Sequence, residues 1–152
     1  MRIWVDADAL PGGAKEIILR ASQRLRIATI FVANKNIQIG PGALVSLVRV
    51  GQGADVADKY IVDESAAGDL AVTADIPLAA ALVAKGLAVM DPRGDEYSHD
   101  NVSDRLSVRD LMTSLREVGV ATQGPPPFDA RAKQRFAAGL DRLLTRAVRE
   151  GR

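Results

Sequence analysis

The chain has 152 residues, of which 47% are apolar and 26% are charged, and its formal net charge is +1. This balance is typical of one globular domain. The absence of cysteine excludes a disulfide scaffold and a thiolate metal site. No apolar run approaches the ~18 residues of a membrane span, and the first residues lack a signal-peptide pattern. We therefore expect a cytoplasmic protein without a membrane partner.

Strand-like and helix-like segments alternate through the first part of the chain. Five apolar segments predict strands: RIWVDA, IATIFVA, ALVSLVRV, LAVT and LAVM. Three segments with apolar residues at helical spacing predict the connecting helices: AKEIILRASQRL, DVADKYIVDESAA and IPLAAALVAK. Because such alternation implies right-handed crossovers, the sequence predicts an α/β fold with a mostly parallel five-stranded sheet and helices on both faces.

The rest of the chain predicts two long helices within the same domain, 1–152. The first is VSDRLSVRDLMTSLREV, a Pro-rich connector covers 123–128, and a basic amphipathic helix covers 129–149. From Asp129 onward seven residues are basic and three are acidic, so this segment carries +4 while the first 128 residues carry −3. A basic helix beside an acidic body suits phosphate binding. The alternative is a solvated, arginine-rich helix face.

Polar residues follow four of the predicted strands. In strand order they are Asp6 and Asp8, then Asn34 and Lys35, then Asp75, then Asp91 and Arg93. Ligands of open parallel sheets bind outside the carboxyl ends of the strands, so we expect these side chains at one edge. Asp58, in the helix before the fourth strand, would turn toward the same edge. Asp69 precedes that strand and is expected at the opposite edge, more than ~10 Å away.

Clustered carboxylates either bind protons, with raised pKa values, or hold a cation. Oxygen ligands with no cysteine and one histidine suit Mg²⁺ or Mn²⁺ better than zinc. We predict Asp6, Asp8 and Asp75 as metal ligands, and Asp58 as a further catalytic acid. Three of these carboxylates have a structural alternative, since Asp8 and Asp75 would also serve as helix caps and Asp58 as a solvated helix residue.

Three basic residues are candidates for binding substrate phosphate. Lys15 follows PGG in the first turn of a helix, where it opposes the helix dipole and would have another duty. The two glycines expose backbone N–H groups at that helix N-terminus, which attracts phosphate. Lys35 and Arg93 follow strand ends. For Arg93 the alternative is a structural ion pair with a carboxylate.

Longer motifs resemble one bacterial family. WVDADALP, VANK, GADVADKYI, GDLAVTADIPLAAALVAKG, DPRG, LREVGVATQGPPPF and RFAAGLDRLL resemble the YaiI/YqxD family over nearly the whole chain. Two positions depart from its pattern. Leu10 stands where the family often has cysteine, and Gln123 stands where it often has glycine. The first departure indicates that the site needs no cysteine chemistry.

The YaiI/YqxD family is in turn similar to the PIN-like nuclease superfamily. This similarity implies a three-layer α/β/α, PIN-like fold. It also implies, in active members, an acidic Mg²⁺ or Mn²⁺ site that cuts RNA. The acidic positions of such nucleases fall on Asp6, Asp58 and Asp75, with Asp8 as an additional candidate. PIN-like relatives commonly pair, so the resemblance also implies a homo-oligomer.

Three functions remain open. The first is a metal-dependent phosphodiesterase, which we expect to be a ribonuclease, in which Asp8 and Asp58 complete the metal shell through water. The second is a non-catalytic nucleic-acid-binding or interaction module of the same fold, motivated by the basic C-terminal helix. The third is an aspartyl-phosphate phosphatase, because VDADAL resembles D-x-D-x-T/V, although Leu10 stands where that signature has Thr or Val.

Overall fold

A computed structural model of the chain describes residues 1–40, 42–53, 55–117, 119 and 127–150. Its strands are β1 Ile3–Asp6, β2 Thr29–Ala33, β3 Val45–Arg49, β4 Leu70–Val72, β5 Ala88–Met90 and β6 Glu96–Tyr97. Its α-helices are α1 Ala14–Leu25, α2 Val56–Glu64, α3 Ile76–Lys85, α4 His99–Glu117 and α5 Ala130–Arg149. The predicted α/β class is therefore confirmed.

The strands form one sheet in the order β3-β2-β1-β4-β5-β6. β1 to β5 are parallel to one another, and β6 pairs antiparallel with β5. The predicted count of five strands was wrong, because the described part of the chain contains six. β6 has only two residues, Glu96 and Tyr97, which is too short for an alternating pattern to be visible in the sequence.

Helices cover both faces of the sheet, so the fold has three layers. One face of the sheet presents Ile3, Val5 and Phe31 to the buried residues of α1 and α5. The other face presents Trp4 and Val32 to buried residues of α2, α3 and α4. The two sides differ because successive side chains of a strand point to opposite faces. This confirms the three-layer α/β/α architecture that the resemblance implied.

The sheet reverses its direction of growth between β1 and β4. The chain adds β2 and β3 on one side of β1, and then β4, β5 and β6 on the other. β1 and β4 are in register, with Val5 opposite Val72. A crevice forms at the carboxyl ends of two such strands, because the connections leave them in opposite directions. The residues that follow β1 and β4 therefore lie at the edge where a ligand is expected.

The basic helix α5 begins at Ala130, one residue after the predicted start. The Asp129 side chain caps it by accepting a hydrogen bond of 2.9 Å from the backbone N–H of Ala132. Its buried face includes Phe136, Leu140 and Leu144, which pack against the α1 side of the sheet. Residues 123–126 of the predicted connector lie outside the described residues. Among the residues described, no helix combines the length and the apolar character that crossing a membrane requires.

Candidate functional site

Asp6 and Thr73 join the ends of the two central strands. Asp6 is the last residue of β1 and is only 7% exposed. Its Oδ2 accepts a hydrogen bond of 2.8 Å from the hydroxyl of Thr73, which directly follows β4 and is 1% exposed. The same hydroxyl accepts a hydrogen bond of 3.0 Å from the backbone N–H of Asp75. Thr73 therefore holds Asp6 and the start of α3 in one arrangement.

Asp75 caps helix α3, as its alternative role predicted. Its Oδ1 accepts a hydrogen bond of 2.9 Å from the backbone N–H of Leu78, and Pro77 stands in the first turn of the helix. An aspartate at this position satisfies one free N–H and faces the positive end of the helix dipole. Capping engages one carboxylate oxygen, and Asp75 also lies within hydrogen-bonding distance of the Asp58 carboxyl group.

Asp8 lies in the short 3-10 turn Ala7–Ala9 that follows β1. Its Oδ2 accepts a hydrogen bond of 2.9 Å from the backbone N–H of Asn34, which follows β2. Its Oδ1 is buried and has no hydrogen-bond partner among the described residues. A buried carboxylate oxygen without a donor is costly, so this atom is one that a bound ligand would satisfy.

The four predicted carboxylates line one cleft. Asp6, Asp8, Asp58 and Asp75 surround a space of about 720 Å³, together with Asn34 and Gln52. We call this space the acidic cleft. Its four carboxylates come from four different segments: the end of β1, the following turn, the first turn of α2 and the cap of α3. They come together because β1 and β4 are adjacent, parallel strands whose carboxyl ends lie at the same edge of the sheet.

Crowding of these carboxylates changes how they titrate. Burial raises the pKa of Asp6 above its ordinary value of 3.8; the Thr73 hydrogen bond lowers it, while the charges of Asp75 and Asp8 raise it. Burial also raises the pKa of Asp58 to about 6, with further increases from the charges of Asp75 and Asp6. Positive charge in the cleft would oppose these shifts, because a cation stabilises the ionised form of each carboxyl.

The polar lining of the acidic cleft consists of carboxylate and amide groups, whose oxygens are the ligand type that hard cations prefer. In the described ranges, no group of three or more Asp, Glu, His or Cys side chains converges closely enough to hold a metal ion. Mg²⁺ commonly binds one or two carboxylates and completes its shell with water and substrate phosphate. The unpartnered Asp8 Oδ1 and the oxygen-only lining are consistent with that mode.

The predicted phosphate ligands do not line the acidic cleft among the residues described. The Lys15 ammonium donates a hydrogen bond to the backbone carbonyl of Gln38, which explains its place in the first turn of α1. Lys35 is exposed. Arg93 lines a neighbouring cleft with Arg105 and Arg135. Their predicted role in phosphate binding stays a prediction, and Arg93 has the most suitable surroundings of the three.

Two carboxylates near the predicted strand ends have structural partners. Asp69 accepts hydrogen bonds from the Trp4 indole and from the backbone N–H groups of Arg2 and Ala66, at 3.0 Å each. It lies at the amino end of β4, as predicted, and outside the acidic cleft. Asp91 accepts from the backbone N–H groups of Arg93 and Asp95. It also forms an ion pair of 2.9 Å with Arg105, so it shapes the turn after β5.

Thr73 and Gln52 were not predicted as residues of the site. Thr73 appeared only as the last letter of a predicted strand, although a hydroxyl two residues before Asp75 and directly after a buried strand is a usable signal. Gln52 lies in the loop between β3 and α2. Nothing local distinguishes it from other loop polar residues, because only the path of that loop brings it to the cleft.

Comparison with known proteins places the chain in a family. Residues 4–146 match a family model described as "Uncharacterized BCR, YaiI/YqxD family". A "UPF0178 protein" of Myxococcus xanthus is 55% identical over 149 residues, covering 98% of this chain and 97% of the relative. A "UPF0178 protein" of Geobacter metallireducens is 55% identical over 152 residues, covering 100% and 98%. No solved structure matches significantly. The chain therefore belongs to the YaiI/YqxD family.

Proposed function

We propose that this protein is a metal-dependent phosphodiesterase that acts on RNA. The observation that carries the proposal is the acidic cleft, where Asp6, Asp8, Asp58 and Asp75 meet at the carboxyl ends of β1 and β4. So many carboxylates in one cleft stabilise a fold poorly, because burial and mutual repulsion disfavour their ionised forms. Their arrangement is understandable if a cation and a phosphate are bound there during function.

The residues of the cleft divide the work by position. Asp6 and Asp75, linked through Thr73, would hold the cation directly, and the free oxygen of Asp8 would accept a hydrogen bond from a water of its shell. A bound Mg²⁺ or Mn²⁺ would lower the pKa of a water and neutralise charge on the phosphate. Asp58, which lines the cleft from the first turn of α2, would be ionised beside a bound cation and suited to accept a proton from the attacking water. The water oxygen would bond to phosphorus, the P–O bond to the leaving nucleotide would break, and the leaving oxygen would take a proton from solvent.

Metal binding by the acidic cleft is the first experiment. Mn²⁺ and Mg²⁺ are titrated by calorimetry into the wild-type protein and into Asp6→Asn/Asp75→Asn. The matched control is Asp63→Asn/Asp100→Asn, which removes two exposed carboxylates outside the cleft. We expect the control to bind as the wild type does and the cleft variant to lose binding. Equal binding by all three proteins would overturn the assignment of Asp6 and Asp75.

Cleavage is the second experiment. Structured and single-stranded RNAs are incubated with each protein in Mn²⁺, Mg²⁺ or EDTA, and the products are resolved on gels. We expect cleavage by the wild type and by the control in the presence of metal. The cleft variant should be inactive, as should every sample in EDTA. Activity that persists in the cleft variant would indicate a contaminating nuclease or a different site.

A non-catalytic RNA-binding module of the same fold is the second candidate. It is favoured by the lack, among described residues, of three converging metal ligands. Such a module would bind RNA equally with and without EDTA and would release it as salt is raised, because phosphate contacts dominate. Binding in EDTA without cleavage under any metal condition would favour this alternative over the phosphodiesterase.

A further inference from the structure

A second cleft lies against the acidic cleft. It encloses about 570 Å³, the size range of a site for one nucleotide, and three arginines line it: Arg93, Arg105 and Arg135. We call it the arginine cleft. Asp91 is the only carboxylate among its described lining residues, and it is buried and paired with Arg105. The arginine cleft therefore has a net positive charge at its surface.

Arg105 is committed to the structure of this cleft. Its Nη2 donates to Asp91 at 2.9 Å, and its guanidinium lies 4.4 Å from the centre of the Tyr97 ring. It thereby ties α4 to the turn after β5 and to β6. The other two arginines differ. Arg93 and Arg135 are exposed, and neither forms a salt bridge with any described carboxylate.

A contact between two glycines fixes Arg93 beside Arg135. Gly94 has a φ of +95°, and a Cβ placed on it would overlap the backbone carbonyl oxygen of Arg135. A Cβ placed on Gly139 would lie 2.5 Å from the carbonyl oxygen of Gly94. The loop after β5 and helix α5 therefore touch backbone to backbone. The main-chain segments that carry Arg93 and Arg135 are therefore held close together, and an anion bound between them would order the two side chains without moving the backbone.

The two clefts adjoin each other. Ala9 and Ala74, which have small side chains, line both of them. A strand with one phosphate in the acidic cleft would place a neighbouring nucleotide in the arginine cleft. Pro127 and Phe128 add apolar surface to its wall. The charges also complement each other, because the acidic cleft alone would repel a polyanion.

We propose that Arg93 and Arg135 bind the phosphodiester backbone of a single-stranded RNA beside the nucleotide held in the acidic cleft. This inference rests on the proposed function for its choice of ligand. Arginine is suited to the role because its planar guanidinium donates two parallel hydrogen bonds to a phosphate. The arginine cleft supplies affinity for the strand, and the acidic cleft supplies the chemistry.

RNA binding in EDTA tests this subsite separately from catalysis. The probe is a short fluorescein-labelled oligouridylate, and its anisotropy is followed at several KCl concentrations. The proteins are the wild type, Arg93→Ala/Arg135→Ala, and the control Arg142→Ala/Arg149→Ala. The control removes two exposed positive charges from α5, the helix that contains Arg135. Asp6→Asn/Asp75→Asn is included as well. Circular dichroism confirms that each variant is folded.

We expect Arg93→Ala/Arg135→Ala to bind the oligouridylate at least about tenfold more weakly than the wild type, because two charge-assisted contacts are lost. The logarithm of the binding constant falls linearly with the logarithm of the KCl concentration, and each phosphate contact contributes about 0.7 to that slope for a single strand. Loss of two contacts should therefore make the slope shallower by about 1.4. The control should bind within about twofold of the wild type. If Arg93→Ala/Arg135→Ala does not fold, Arg93→Gln, which changes one exposed side chain, should show about half of the slope change.

The remaining outcomes separate the two proposals. Equal losses of RNA affinity in Arg93→Ala/Arg135→Ala and in Arg142→Ala/Arg149→Ala would mean diffuse electrostatic attraction and would overturn the subsite. Absence of binding by the wild type in EDTA would also overturn it. Tight binding that depends on Arg93 and Arg135, without cleavage under any metal condition, would support the subsite and refute the phosphodiesterase. Asp6→Asn/Asp75→Asn should bind the oligouridylate at least as well as the wild type.

Discussion

The hydroxyl of Thr73 donates a hydrogen bond of 2.8 Å to Asp6, a pair separated by 67 positions in the chain. Both residues are buried, and Thr73 also binds the backbone N–H of Asp75. Because of this bridge, the carboxylate after β1 and the cap of α3 are positioned as one unit. The acidic cleft thus depends on a residue that carries no charge.

Replacement of Thr73 should therefore weaken the fold. Thr73→Val leaves the Asp6 carboxylate and the Asp75 N–H without a partner, and we expect a loss of about 1–3 kcal/mol in the free energy of unfolding. Thr73→Ser keeps the hydroxyl and should cost less than about 1.5 kcal/mol. Urea unfolding at neutral pH measures both. A Val variant as stable as the Ser variant would show that the hydrogen bond contributes nothing.

Asp58 should make the metal-free protein less stable as pH rises. Its pKa of about 6 exceeds the ordinary value of 3.8, so the folded protein binds the proton more tightly than the unfolded chain. Stability from this group is therefore fully present below pH 3.8 and is lost as pH rises through about 6. We expect Asp58→Asn to gain about 1 kcal/mol at neutral pH, after allowing for solvent screening of a half-buried group.

Thermal unfolding across pH checks this prediction. The gain of Asp58→Asn over the wild type should disappear below pH 3.8 and grow between there and about pH 6. Asp63→Asn, which changes an exposed carboxylate of the same helix, is the control and should show no such trend. A gain of equal size at all pH values would mean that ionisation of Asp58 is not its cause.

Binding of Mn²⁺ should stabilise the protein, and more so at neutral than at acidic pH. Carboxylate ligands must lose their protons before they bind a metal, so protons compete with Mn²⁺ for the cleft. Because the pKa values of Asp6 and Asp58 are raised, this competition continues to higher pH than it would for ordinary carboxyl groups. With free Mn²⁺ at about 100 times its Kd, we expect a gain of about 2.7 kcal/mol. This corresponds to a rise in Tm of about 5–10 °C for a domain of this size.

Differential scanning calorimetry with and without Mn²⁺ measures that rise. EDTA should reverse it, and Asp6→Asn/Asp75→Asn should not show it. A rise of the same size in that variant would locate metal binding elsewhere on the protein. A rise that did not change with pH would argue against carboxylate ligands.

Alanine at Gly94 should be strongly destabilising. Its φ of +95° disfavours any residue with a Cβ, and that atom would overlap the Arg135 carbonyl oxygen of α5. We expect a loss of about 2–4 kcal/mol. Gly12→Ala is the matched control, because a Cβ there would have no atom within 4 Å, and it should change stability by less than about 1 kcal/mol.

Chemical denaturation of both glycine variants gives the comparison. The Gly94 variant should also bind the oligouridylate more weakly under conditions where it is folded, since Arg93 moves with its loop. A Gly94→Ala protein as stable as Gly12→Ala would mean that the loop and α5 can separate at little cost. Arg93 and Arg135 would then not be held in a fixed arrangement.

Asp69 should matter for stability and not for the site. It is 6% exposed and accepts hydrogen bonds from Arg2, Trp4 and Ala66. Asp69→Asn puts an NH₂ group where donors converge, and we expect a loss of about 2–3 kcal/mol in the free energy of unfolding. Mn²⁺ affinity of the folded variant should be unchanged, as calorimetry would show. A large loss of affinity would contradict the separation of the two sheet edges.

Much of the site could be predicted because it depends on strand ends. The apolar runs of β1 and β4 are readable locally, and parallel strands must present their carboxyl ends at one edge. This is why Asp6, Asp8 and Asp75 were expected together, and why Asp69 was placed at the other edge. The geometry of a single strand and its direction in the sheet suffice for both conclusions.

Other parts of the site depend on contacts between distant segments. The link from Thr73 to Asp6 requires the register of β1 against β4, which no pattern within either strand specifies. Arg135 faces the cleft only because α5 packs against the loop that contains Gly94. The hydrogen bond from the Lys15 ammonium to the carbonyl of Gln38 is a further contact between distant segments, and the phosphate-binding role of Lys15 stays a prediction.

The sequence by itself determined the α/β class, the elements of the parallel sheet, the edge at which the carboxylates collect and the family. These follow from periodicity, from strand direction and from long motifs, which are properties of continuous segments. Only the tertiary structure decided the sixth strand, the bridge from Thr73 to Asp6 and the placement of Arg93 and Arg135 at the same cleft. Those features arise where backbones from distant segments come close enough for hydrogen bonds or direct contact, and that approach is a property of packing rather than of any one segment.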